Sequence, residues 1–133
     1  MRAGAQLRPD LVVGVDAQQA PAATLVEGDA LSLPFADDAF DRVFSGHFYG
    51  HLDPSQRTAF LREARRVAPE LVVADASIEH SEVDEEWSRR ILEDGTSWEV
   101  YKRWFTPAGL LAELGGGDVL YAGTWFLVVR SPR

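Results

Sequence analysis

Gly28-Asp29-Ala30-Leu31-Ser32-Leu33-Pro34-Phe35-Ala36-Asp37-Asp38-Ala39-Phe40-Asp41-Arg42-Val43-Phe44-Ser45 is the segment from which the fold class can be assigned. It joins the end of one strand-like run, residues 25–29, to a second, residues 40–45, through a loop broken by Pro34 and the pair Asp37-Asp38. A carboxylate placed where a buried parallel strand leaves its sheet stands at the ligand-binding edge of an α/β fold, because crossover connections leave the crevice above the strand ends open. Asp29 is such a residue.

Upstream, Leu11-Val12-Val13-Gly14-Val15-Asp16 is a short continuous apolar run ending in an acid, and it predicts a fully buried parallel strand. Asp16 then stands at the strand's C-terminal end. An acid there can accept hydrogen bonds from both ribose hydroxyls of a nucleoside at once; capping of the following turn is its other reading. Residues 17–23 are too short for a full crossover helix and predict one helical turn or a plain loop.

Downstream, Asp53-Pro54-Ser55-Gln56 is a helix start, with Asp at the N-cap, Pro at the first position and Gln three after the cap. The helix is expected to run to about residue 67 with Phe60, Ala64 and Val67 buried and Arg62, Arg65 and Arg66 on a solvated side. Pro69 stops it. Leu71-Val72-Val73-Ala74-Asp75-Ala76 predicts a second buried parallel strand, with Asp75 a structural cap in preference to a pocket residue. Between residues 77 and 95, acids precede Val83, Trp87 and Ile91 at helical spacing, which predicts a helix ended by Asp94-Gly95. Trp87, Trp98, Tyr101 and Trp104 are expected mostly in core packing. Thr106-Pro107 opens a last helix whose Leu110, Leu111 and Leu114 face inward before Gly115-Gly116-Gly117 ends it, and residues 119–122 and 124–130 predict a terminal antiparallel hairpin.

A chain of 133 residues suits a single domain spanning residues 1–133, and its 46% hydrophobic and 26% charged residues lie in the globular range. A formal net charge of -8 argues against a phosphate-tracking surface, hence against nucleic acid as partner. Cys is absent, which removes disulfides and thiolate chemistry. The first residues lack the apolar core of a signal peptide and no run is long enough to span a bilayer, so the expectation is a cytoplasmic protein with no membrane partner.

The order strand, acidic end, Leu33-Pro34-Phe35, Phe40-Asp41 and apolar strand resembles the middle of the class I S-adenosylmethionine-dependent methyltransferases, in their small-molecule branch with a Gly-Asp-x-x-x-Leu-Pro-Phe segment. The resemblance covers residues 11–130 and implies an α/β, Rossmann-like methyltransferase sheet, mostly parallel with a C-terminal antiparallel hairpin. It implies S-adenosylmethionine as cofactor, a small-molecule acceptor as substrate, and residues 78–105 as an insert or lid over it, with Trp87, Trp98, Tyr101 and Trp104 as candidate pocket walls where they are not core. By the same resemblance Asp16 holds the ribose, Asp29 and the backbone of Ala30 the adenine, and Ser45, Gly46 and His47 border the methionine. The loop Gly46-His47-Phe48-Tyr49-Gly50-His51-Leu52 would then line the acceptor pocket. His51 or Tyr49 becomes a candidate general base or positioning group, the imidazole being suited by its near-neutral pKa; an aromatic wall with a hydrogen-bonded His is the alternative. His47 and His51 are four apart, but the flanking glycines and the missing Glu after His47 argue against a metal site.

Relative to the family, the chain lacks the first strand and its Gly-x-Gly loop, so the expectation is an N-terminally truncated sheet. The family's strand order, 3-2-1-4-5-7-6, puts that strand at the centre. Either residues 11–16 pair directly with residues 40–45, or a second chain fills the place, or the chain is part of a longer protein. A non-catalytic module that self-associates or needs a partner, and thus a homo-oligomer, is the second functional reading. A nicotinamide-dependent enzyme is a third, weakened by the lack of a phosphate-cradling Gly-rich turn.

Overall fold

The computed structural model describes residues 10–13 and 24–133. Strands β1 (Asp10–Val13), β2 (Thr24–Glu27) and β3 (Val43–Gly46) are followed by a 3-10 turn at Tyr49–His51 and helix α1 (Pro54–Val67). Then come β4 (Glu70–Ala76), a 3-10 turn at Ile78–His80, β5 (Glu85–Ile91), β6 (Ser97–Arg103), α2 (Pro107–Leu114), β7 (Asp118–Ala122) and β8 (Phe126–Pro132).

The main sheet has the order β3-β4-β8-β7. β3 runs parallel to β4, with Ser45 opposite Val73, and β8 lies antiparallel between β4 and β7. The α/β character and the terminal hairpin match expectation. The sheet is mixed, and among the described residues its parallel ladder is confined to β3 and β4. β1 pairs antiparallel with β2 in a separate ribbon, Leu11 opposite Val26. This corrects, as far as Val13, the parallel reading of residues 11–16, and with it the expectation that Asp29 stands where a parallel strand leaves the sheet, since β2 is antiparallel and outside the main sheet. A continuous apolar run marks a buried strand but carries no information on strand direction. Asp16 and residues 17–23 lie outside the described residues.

One face of the main sheet forms the core. Leu71 and Val73 of β4 and Leu127 and Val129 of β8 meet Phe60 and Ala64 of α1 and Leu110 and Leu114 of α2. The opposite face is barer. Phe44, which pairs with Val72, is 65% exposed, and Phe126 and Tyr121 are also exposed.

Helix α1 begins as its sequence dictates. Asp53 Oδ1 accepts from the Gln56 amide at 2.9 Å while the Gln56 side chain accepts from the Asp53 amide at 2.9 Å, and Pro54 fills a first position whose missing N–H costs nothing. Phe60, Ala64 and Val67 are buried as expected. The solvated side expected for Arg62, Arg65 and Arg66 is a correction, since Arg65 donates to Leu114 O at 2.5 Å and Ser131 O at 3.0 Å, and Arg66 holds Phe35 O at 2.8 Å and Asp37 at 2.9 Å. Of these three only Arg62 is exposed, and Arg57 on the same helix is buried. Long guanidinium side chains on the flank of a helix reach carbonyls at the ends of neighbouring elements, which amphipathic period cannot reveal.

Residues 77–95 are the largest correction. The expected helix is absent; β5 and β6 form an antiparallel hairpin with Trp87 opposite Tyr101, closed by a turn in which Gly95 has φ 89°. Trp87 is 54% exposed rather than core, and Tyr101 is the buried member of the pair. The spacing 83, 87, 91 is even, so it fits a strand's period of two as well as a helix.

Candidate active site

Because β3 and β4 are parallel, their C-terminal ends share one edge of the sheet, where ligands bind in folds of this class. His47 follows β3 with φ 51°, a left-handed conformation unusual for a residue with a Cβ, and its N–H donates to Ala74 O at 2.8 Å. That bond carries the chain across the end of β4 and into the Tyr49–His51 turn.

Asp75 fixes the turn from below. Fully buried, its Oδ2 accepts from the Gly50 amide at 2.8 Å, its Oδ1 from the Ala76 amide at 2.8 Å, and Lys102 Nζ lies 3.6 Å away. A Cβ on Gly50 would stand 2.7 Å from Asp75 Oδ1 and 2.8 Å from Arg103 O, so only glycine fits. Asp75 is therefore the structural cap the sequence suggests.

The turn holds two residues of contrasting environment. Tyr49 has no exposed surface, and its hydroxyl donates to Glu113 at 2.5 Å. Burial first, then the bond to Glu113, raises its pKa far above the usual phenol value, so at neutral pH the hydroxyl is a committed donor. Glu113 also takes Arg57 Nε at 2.5 Å, and Arg57 in turn reaches Leu52 O at 2.8 Å. A cavity of about 230 Å³ beside this network is lined by Tyr49, Pro54, Arg57, Thr58, Leu61 and Glu113. His51 is half-buried, with Nδ1 2.9 Å from Tyr101 O. A carbonyl only accepts, so the neutral ring carries its proton on Nδ1 and its lone pair on Nε2, which meets no partner among the described residues. Burial, the largest effect, lowers its pKa below the ordinary value and keeps the ring neutral.

The Asp29 turn is built by its own short-range hydrogen bonds. Asp29 Oδ1 accepts from the Leu31 amide at 2.8 Å, and the Ser32 amide donates to Asp29 O at 3.0 Å. The carboxylate is exposed, and Oδ2 has no partner among the described residues. Ala30, next in the chain, is buried in the same core cluster as Tyr49, Leu71 and Phe105, which anchors the turn beside the sheet. The adjoining Leu33-Pro34-Phe35 segment is strapped to α1, with the Leu33 amide on Glu63 at 2.8 Å and Leu33 O on Arg66 at 3.1 Å.

Ser45, at the end of β3, is buried at 5% exposure and its Oγ has no hydrogen-bond partner. An orphaned hydroxyl of this kind costs free energy unless a ligand or water satisfies it. The structure thus brings Ser45, Gly46, His47, Tyr49 and His51 together at the β3–β4 edge and ties Ala30 into the core beneath it. Sequence reading did not single out Arg57, Glu113 or Lys102 as partners of this loop. Glu113 lies 64 residues from Tyr49, and no local signal announces the pairing.

Among the described residues, no helix is long and apolar enough to cross a membrane. The sequence model of the methyltransferase domain matches residues 5–71, half of the chain. No curated protein sequence matches significantly. Among solved structures, the DhpI–SAM–HEP complex aligns with a TM-score of 0.62 and 25% identity, over 80% of this chain and 56% of that one. The PH0226 protein of Pyrococcus horikoshii OT3 aligns at 0.63 and 16% identity, over 88% and 66%. The Burkholderia thailandensis 1,6-didemethyltoxoflavin-N1-methyltransferase, solved with 1,6-didemethyltoxoflavin and S-adenosylhomocysteine, aligns at 0.61 and 14% identity, over 81% and 49%. At these last two identities the likeness is one of fold. The chain spans little more than half the length of the DhpI chains with which it aligns. With half of its residues matched by the domain's sequence model, this chain belongs to the methyltransferase domain family.

Proposed function

We propose that the chain carries the cofactor and acceptor edge of an S-adenosylmethionine-dependent methyltransferase acting on a small molecule. The observation that carries this reading is the Asp29 turn, an exposed carboxylate with a free Oδ2, anchored through buried Ala30 in the same core as the β3–β4 edge. The DhpI–SAM–HEP complex, similar in fold and 25% identical, supports the choice of cofactor, and the methyltransferase domain match supports the reaction class.

The residues present fit such a group. Asp29 would accept from the adenine, with the Ala30 backbone beside it, and Asp16, outside the described residues, is the proposed ribose acid. Ser45 Oγ, buried and unpartnered, is a polar group awaiting a ligand atom next to Gly46 and His47. When bound, S-adenosylmethionine supplies an electrophilic methyl group. The chain's own contribution is to hold an acceptor in line and exclude water, which by itself lowers the barrier by several kcal/mol in well-oriented reactions, roughly 7–11 at the extreme. His51, neutral and with its lone pair on Nε2, is the proposed base for an acceptor proton. Tyr49, whose hydroxyl is committed to Glu113, is proposed to position the turn that presents His51.

Calorimetric titration of the purified chain with S-adenosylhomocysteine tests this. Binding is expected, weakened about tenfold or more in Asp29→Ala, as loss of a charge-assisted hydrogen bond entails. No heat from folded protein at millimolar ligand would remove the reading.

A second reading has its own observation. β3 has β4 as its sole neighbour among the described residues, and Phe44 on it is 65% exposed. An open edge of this kind suits a module completed by another strand, from a partner or a second copy. Its test is solution molar mass with Phe44→Asp, which should release the partner; a strict monomer would leave a second copy out.

A further inference from the structure

The outer side of β5 offers a different surface. Its only described neighbour is β6, and six of its seven residues are exposed, with Trp87 at 54% and Ile91 at 69%. A two-stranded ribbon alone is marginal in water, and a long exposed edge recruits another strand unless something blunts it. Charge is the usual blunting device, yet here it is sorted by sign. The strand reads Glu85-Glu86-Trp87-Ser88-Arg89-Arg90-Ile91, acids before Ser88 and bases after it. Glu86, Arg89 and Arg90 make no ion pair among the described residues, although Glu86 lies opposite Lys102 and Arg89 opposite Glu99 on β6, and Arg90 faces only Trp98 there.

Such an order discriminates between partners. A parallel copy would set Glu against Glu and Arg against Arg, which is repulsive. An antiparallel copy sets the acidic half of each strand against the basic half of the other. The strand is also locally neutral, with two acids and two bases, in a chain whose net charge of -8 otherwise opposes self-association.

We propose that β5 is a self-recognition edge through which two copies of the chain join antiparallel about a two-fold axis at Ser88. Two hairpins thereby become one four-stranded sheet. In this register Glu86 of each copy stands opposite Arg90 of the other, and Trp87 opposite Arg89. Directly opposed side chains on an antiparallel pair lie about 4.5–5.5 Å apart at Cβ, close enough for both contacts. Trp87 already packs on Tyr101 with centroids 5.2 Å apart, so its remaining exposed surface is available to a guanidinium. The contact is the same patch on both copies and closes at two, without growing into a filament. It is independent of whether the chain transfers methyl groups.

Sedimentation or light scattering at low salt tests the proposal, from micromolar to sub-millimolar chain. A concentration-dependent dimer is expected. Glu86→Arg or Arg90→Glu alone puts like charges opposite each other twice per dimer and should weaken association about tenfold. The double variant Glu86→Arg/Arg90→Glu restores the pairing and should recover the dimer. Circular dichroism of each variant confirms the fold, and the double variant controls for damage by either change. A monomer at every concentration, a dimer indifferent to both single changes, or a folded double variant that stays dissociated would overturn the proposal.

Discussion

Asp29 and Asp75 are acids at the ends of strands in two separate sheets, followed in each case by alanine, yet the molecule treats them oppositely. Asp75 is sealed in, accepting from Gly50 and Ala76 with Lys102 nearby. Asp29 is exposed and spends one oxygen on its own turn. The difference lies in the path of the chain beyond each strand. After β4 the carboxylate is covered by the Gly50 turn and β6, whereas after β2 the chain doubles back within three residues and leaves the acid facing outward. An acid at a strand end is thus a structural device when a second segment arrives over it and stays open to solvent when none does.

The contrast can be broken experimentally, first at the buried end. Asp75→Ala leaves the Gly50 N–H and the Lys102 ammonium without their partner, and chemical denaturation should register a loss of about 3–5 kcal/mol. Asp75→Asn should recover part of it, because an amide oxygen still accepts from Gly50. Gly50→Ala tests the same contact from the other side: its Cβ would meet the carboxylate at 2.7 Å, and the expected cost is about 1–3 kcal/mol. Asp53→Ala, which removes the capping box of α1 but touches neither acid, should cost about 1 kcal/mol and serves as a yardstick. Asp29→Ala should change stability by about 0.5 kcal/mol or less while weakening nucleoside binding. A large stability loss there would erase the distinction between the two acids.

The smallest effect is one of pH. Burial lowers the pKa of His51 in the folded chain below the ordinary 6.5. Between the two values the unfolded chain binds the proton and the folded chain does not. The contribution of His51 to stability is therefore fully present above pH 6.5 and is lost as pH falls through the folded value. Proton NMR of the imidazole gives the folded pKa, and His51→Gln should remove this part of the acid slope.

Much of the fold was legible because its signals are local. Asp53-Pro54 and Gln56 mark the start of α1, Thr106 accepts from the Gly109 amide at 2.9 Å to start α2, and Gly115 ends α2 with φ 94°. The terminal hairpin is signalled by two apolar runs joined at Gly123. Residues 83–91 misled because a spacing of four suits either period, and Asp94-Gly95, read as a helix stop, is equally a hairpin turn. There the run Trp87-Ser88-Arg89-Arg90-Ile91 alternates apolar and polar less cleanly than a half-buried strand, since no residue of β5 itself is buried. In the candidate site, the loop from Gly46 to His51 was readable from residue type and order, whereas the tight turn at Asp29, where the sequence suggests a strand end, was not. Nor were the partners that hold the loop, Glu113, Lys102 and the Tyr101 carbonyl, because their approach is set by tertiary packing across dozens of residues.

Arg65 has a consequence for how the molecule comes apart. Its guanidinium joins the end of α2 at Leu114 O to Ser131 on β8, and the Arg133 amide returns to Pro69 O at 2.6 Å, just past α1. The last strand is therefore a clasp rather than a tail: peeling it away must unfasten both helices in the same event. In hydrogen exchange, the amides of β8 should open together with those of α1, as one cooperative unit, and not fray ahead of them.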